Sequence, residues 1–189
     1  RPSFLVEIGS NDGCFLEVPA ERSISHLGIE PVHSAAARAR EKGVNTLTAF
    51  LTPEVAKSVA HEYGQADLVY AANVFCHIPD LHGLVESLDL LLSSNGMIVF
   101  EDPYLGSMLE LGSYDQIYDE HVFLFSGLSV QQAFASRGFE LVAMELLEVH
   151  GRSMRYFIAR SSTRQVAKNV EDWLNKERLQ GLDDHETLR

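Results

Sequence analysis

The sequence is poor in the residues that staple or metallate small proteins. Its 189 residues include two cysteines, one tryptophan and six prolines. Cys14 and Cys76 stand far apart and in no ligand-like spacing. They read as free thiols of a reducing, cytoplasmic compartment, and no metal is expected. No apolar run approaches the roughly 18 residues of a membrane span, and no secretory leader is expected. Basic residues are scarce too: Lys and Arg number 15 against 27 Asp and Glu, a net charge of -12. That balance argues against nucleic acid, whose affinity rests on Lys and Arg at phosphates, and against an anionic membrane surface. Internal repeats and low-complexity stretches are missing as well.

What is there is a globular composition, 46% hydrophobic and 22% charged, on a chain long enough for one sizeable core. Strand patterns over residues 3–8, 26–30, 44–47, 67–72 and 97–101 alternate with helical patterns over 14–22, 32–42, 53–63 and 81–92. Residues 93–96 read as the turn that closes the fourth helix. This rhythm predicts an α/β, Rossmann-like doubly wound sheet, mostly parallel, with helices on both faces. Runs such as "FLVEI" and "MIVF" suit strands buried on both sides. Residues 103–125 break the rhythm and read as long, aromatic and irregular. A helix over 128–137 follows. Then "FELVAMELLEV" and "MRYFIAR" read as an antiparallel C-terminal hairpin turning through residues 150–152. Residues 163–189 read as a separate C-terminal helical segment after a domain over 1–162. Its stripe of Val166, Val170, Trp173 and Leu174 is expected to dock on this domain or on something outside the chain.

The first strand leaves through Glu7-Ile8-Gly9-Ser10-Asn11-Asp12-Gly13. Two glycines this close allow a sharp turn and close approach of backbone to a ligand, at the sheet edge where open parallel sheets bind one. Asn11 and Cys14 break G-x-G-x-x-G, and no Lys-Ser/Thr follows for a P-loop. Glu30 ends the second strand about 20 residues on, the distance at which a βαβ unit places a ribose-binding carboxylate. Without a second motif this could be a glycine turn in a Rossmann-like protein that binds something else.

The surviving pattern, E-x-G-x-x-x-G, resembles motif I of class I S-adenosylmethionine-dependent methyltransferases. The resemblance implies S-adenosylmethionine as cofactor. Glu7, Gly9, Asn11 and Gly13 would surround its methionine part, Glu30 and Pro31 its ribose, and Ala49 and Phe50 its adenine. Asn73 and Phe75, after the fourth strand, would line the methionine end. Three further stretches, "NVFCHIPDLHGLVESLDLLLSSNGMIVFEDPYL", "YDQIYDEHVFLFS" and "VHGRSMRYFIAR", resemble the nucleotide-sugar C-methyltransferases. Their run close to I-Y-H-E-H-x-x-Y-F-S appears here with Asp119 for the first His and Leu124 for an aromatic. The resemblance implies methyl transfer to a carbon beside a ketone of a nucleotide-linked deoxysugar. His121 matches the base, with Glu120, Tyr118 and His77 as catalytic neighbours. Tyr104, His150 and Arg152 would line the acceptor, and Arg152 and Arg155 would meet a diphosphate. Further domains of the same parent chain are implied, among them a zinc-binding one that is not in this sequence. Two other readings stay open: an O- or N-methyltransferase of another small molecule, and a degenerate cofactor-binding module.

Overall fold

The computed structural model describes residues 4–149 and 151–184. Seven strands form one sheet in the order β3-β2-β1-β4-β5-β7-β6. The central strands are β1 (Phe4–Ile8), β2 (Ser25–Ile29), β3 (Thr46–Leu47), β4 (Ala66–Ala72) and β5 (Leu92–Pro103), all mutually parallel. β7 (Ser153–Arg160) runs antiparallel to β5, and β6 (Phe139–Leu147) pairs outside it. Order reverses between β1 and β4, so the carboxyl ends of these two strands form the crevice expected of a doubly wound sheet.

β1 is buried along its whole length because helices cover both of its faces. Phe4, Val6 and Ile8 join the large core with α3 (Pro53–Tyr63) and α4 (Leu81–Leu91). Leu5 points the other way, into a small cluster with Leu16, Ala39 and Val44 beside α1 (Glu17–Glu21) and α2 (His33–Glu41). Two helix starts in this core carry their reason in sequence. Thr52 caps α3 with Pro53 in its first turn, and Asp80 caps α4 through Gly83 N–H.

Three expectations shift. The turn expected at 93–96 belongs to β5, which enters the sheet early and carries a register shift against β4 between Ala66 and Leu68. The helix expected at 14–22 starts only at Glu17, since Gly13 and Ser10 are spent on the preceding turn. The segment read as irregular holds α5 (Leu105–Leu111) and a single 3-10 turn, Tyr114–Gln116. α6 (Gly127–Ala135) follows, with a reciprocal Ser126–Ser129 capping box.

α7 (Lys168–Leu179) packs on β6 and α6. Val170 and Leu174 enter the large core, and Trp173 packs against it. Glu177 is fully buried there. Its Oε1 accepts Tyr104 O–H (2.9 Å) and Gly127 N–H (2.7 Å), and its Oε2 accepts Leu128 N–H (2.8 Å). One carboxylate thus ties the residue where the chain leaves the sheet to the helix on which it returns. Between them Tyr104 bridges Phe125, and Leu105 N–H donates to Phe125 O at 2.9 Å. Residues 105–124 are therefore an excursion with a fixed base. No helix among the described residues is long and apolar enough to cross a membrane.

Candidate functional site

The ends of β1, β2 and β4 open onto a cleft of about 330 Å³. Gly9, Asn11, Glu30, Pro31, Ala49, Phe50 and Val74 line it. Gly9 (φ +68) and Asn11 (φ +49) are left-handed, a conformation natural to Gly and tolerated by Asn. A Cβ on Gly9 would fall 2.5 Å from Val74 Cγ2, so only glycine lets the β1 and β4 loops close on each other. Glu30 is 6% exposed, and its carboxylate accepts Asn11 N–H (2.9 Å) and Val32 N–H (2.8 Å). It splints the glycine loop to the start of α2 while keeping an edge at the cleft. Phe50 is largely exposed at the rim.

Gly13 has another role. Its φ is +80, and a Cβ there would lie 3.0 Å from Ala39 and from Val44. It seats the loop on α2 and β3 and does not line the cleft. Glu7 lies behind the loop on the face of Leu5. Burial, then the charge of Glu30, pushes its carboxyl up to about 8. Phe75, expected at the cofactor, is instead 1% exposed and packed on Phe100 in the core. It opens a 3-10 turn, Phe75–His77, that rotates successive side chains by about 120°. Phe75 and Cys76 therefore face inward, while Val74 and His77 line the cleft.

His77 also lines a second cavity of about 440 Å³, with Asn73, Pro103, Gln116, Tyr118, His121 and Gly151. The two spaces meet at this imidazole. A turn closed by His121 N–H to Tyr118 O brings the Tyr118 and His121 rings to 4.0 Å between centroids. His121 Nδ1 lies 2.7 Å from Gln116 O. A carbonyl only accepts, so Nδ1 carries the proton and Nε2 presents a lone pair. That lone pair accepts the Tyr118 hydroxyl at 2.8 Å. His77 is held in the same way, Nδ1 donating to Glu120 O at 2.7 Å, and the two imidazole rings are 5.1 Å apart. A neutral imidazole with a fixed tautomer, at the mouth of a cavity, is equipped to take a proton.

Other expected residues sit elsewhere. Glu120 is exposed and brings its backbone carbonyl, not its carboxylate, to the cluster. Tyr104 was expected at the acceptor, but it is 1% exposed and turned under the excursion onto Glu177 and Trp173. Burial and the Glu177 charge push its hydroxyl well above the usual range. Arg152 pairs with Glu148 (3.2 Å) and Glu110 (3.8 Å), and Arg155 with Glu101 and Glu145. His150 lies outside the described residues. Spacing did not point to Gln116 or to Asp102. Gln116 acts through a backbone carbonyl, which no motif encodes. Asp102, one residue before the end of β5, is 1% exposed beside Cys76, and burial pushes it up to about 7.

A methyltransferase domain family model matches residues 1–144. The chain is 35% identical over 179 residues to the C-methyltransferase NovU of Streptomyces niveus. That alignment takes in 94% of this chain and 43% of the relative's length. An Anabaena variabilis SAM-dependent methyltransferase superposes with a TM-score of 0.66 at 18% identity, over 82% of this chain and 76% of that one. Magnesium protoporphyrin IX methyltransferase of Synechocystis, solved with bound SAH, superposes at 0.63 and 13% identity, over 83% and 74%. These two structures are alike in fold.

Proposed function

This chain belongs to the methyltransferase domain family, of class I fold and with S-adenosylmethionine as its cofactor, and from that premise we propose that it methylates a carbon beside the ketone of a nucleotide-linked deoxysugar. The observation that carries the reading is His121. Its Nδ1–H is spent on Gln116 O, and its Nε2 lone pair faces a cavity that adjoins the cofactor cleft through His77. The 35% identity to a C-methyltransferase supports a carbon acceptor.

Carbon needs help that oxygen or nitrogen often does not. Nε2 of His121 takes the proton from the carbon beside the ketone, and the electron pair moves to the ketone oxygen as an enolate. The cofactor, when bound, would supply an electrophilic sulfonium methyl, which the enolate carbon would take as the carbon–sulfur bond breaks, leaving S-adenosylhomocysteine and the branched ketone. The imidazolium returns its proton to solvent. Tyr118, freed from Nε2 when an acceptor enters, donates its hydroxyl to the enolate oxygen. Glu30, at the edge of the cleft, would accept the ribose hydroxyls.

Two measurements test this. Calorimetric titration with S-adenosylhomocysteine should give binding that Glu30→Ala weakens 10-fold or more, about 1.4 kcal/mol. Keto-deoxysugar nucleotides incubated with methyl-labelled cofactor should place the label on carbon by NMR. A label on oxygen or nitrogen would overturn the carbon acceptor while leaving the cofactor site intact.

A further inference from the structure

Beyond methyl transfer, we propose that Cys76, His77 and His121 form a binding site for a divalent transition-metal ion of the zinc class, opening onto the acceptor cavity. The sequence shows no cysteine cluster, but folding brings three ligand atoms from two loops within 4.8 Å of one another. Thiolate and imidazole are the donors zinc prefers, and three protein ligands leave a fourth position for water.

The surroundings fit. A metal-bound imidazole ordinarily donates its other N–H to a carbonyl or carboxylate, which fixes the tautomer and the ring. Both imidazoles do so here, His77 to Glu120 O and His121 to Gln116 O, each at 2.7 Å. Both Nε2 lone pairs are thereby left to ligate. His77 and His121 also line the 440 Å³ cavity, which supplies an entry path and room for the fourth ligand. Beside Cys76 lies Asp102, 1% exposed and without a salt-bridge partner among the described residues. The Tyr118 hydroxyl now on His121 Nε2 must swing away, and Tyr118 is half exposed.

Binding forms a sulfur–metal bond and breaks the Cys76 S–H bond, the proton leaving to solvent. Because the thiol gives up its proton on ligation, affinity rises with pH. The consequence for catalysis rests on the function proposed above: the ion takes the Nε2 that would accept the acceptor's proton, so metal and methyl transfer exclude each other.

The test needs no acceptor. Cobalt(II) is titrated into the reduced protein without oxygen. One equivalent should give a thiolate-to-cobalt charge-transfer band, which zinc(II) then abolishes by displacement. Cys14→Ser should keep the band. Cys76→Ser should lose it, and His77→Gln, a half-exposed position that spares the core, should weaken binding at least about 10-fold. Absence of the band, or a band that survives both Cys76→Ser and His77→Gln, would overturn the site. S-adenosylhomocysteine binding measured on the same samples separates that failure from failure of the methyltransferase reading.

Discussion

The cleft proposed for the cofactor and the cavity proposed for the acceptor share one edge of one sheet and one histidine, His77, yet they are built differently. The cleft is made where strands end. Its glycine loop, Glu30 and the β4 loop are placed by parallel pairing of β1 with β2 and β4, in which every residue's register is set by a backbone ladder. The acceptor side is made by residues 105–124, which leave the sheet after β5 and return at Phe125. Its rigidity comes from a few long-range bonds, Glu177 at its base, Phe123 N–H to Cys76 O and His77 to Glu120 O, and from the local contact of His121 with Gln116 O. One region inherits its geometry from the fold, and the other is fastened to it.

If that contrast holds, damage on one side should spare the other. His121→Ala removes the proposed proton acceptor, and methyl transfer should fall by about 10²–10⁴. Titration with S-adenosylhomocysteine should return the wild-type affinity, since His121 does not line the cleft. A parallel loss of cofactor affinity would show that the two regions are one.

Glu177→Ala leaves two backbone N–H groups and a tyrosine hydroxyl buried without their acceptor. We expect a loss of about 3 kcal/mol in urea unfolding, from broken charge-assisted bonds in the core. Glu177→Gln should recover part of it.

Glu7 probes the cleft side through pH. Its folded value near 8 lies above the ordinary 4.5, so the ionised form is disfavoured in the fold. Its contribution is intact below about pH 4.5 and is lost as pH rises through about 8. Glu7→Gln should match the wild type near pH 4 and be more stable by about 5 kcal/mol near pH 9, the shift from 4.5 to about 8 at about 1.36 kcal/mol per pH unit. Equal stabilities at both ends would place the carboxyl in water. Smallest is Tyr118→Phe, which removes one hydroxyl donor and should slow transfer about five-fold, for about 1 kcal/mol. Single-turnover kinetics would read it.

Much of the first region was legible in the residues. Gly9 and Glu30 announce themselves, because a left-handed turn demands glycine and a βαβ unit fixes the distance to the next strand end. Gly13 was legible as a turn, but its packing against Ala39 and Val44 was not. Phe75 was misplaced because a single 3-10 turn reverses which side chains face inward, and three residues carry no readable period. The excursion was the least legible. Tyr118 and His121 came from resemblance, whereas Gln116 and Glu120 contribute through carbonyls that any residue could supply. Glu177 looked like one more charge on a polar helix.

By itself the sequence determined the alternation of strands and helices, the glycine turn and the strand-end carboxylate, because each follows from local sterics or from a periodicity of two or 3.6 residues. Only the tertiary structure decided that Tyr104 is buried, that α7 belongs to the core, and that Cys76, His77 and His121 converge. Those outcomes depend on contacts between residues far apart in the chain, and local preference carries no record of such contacts.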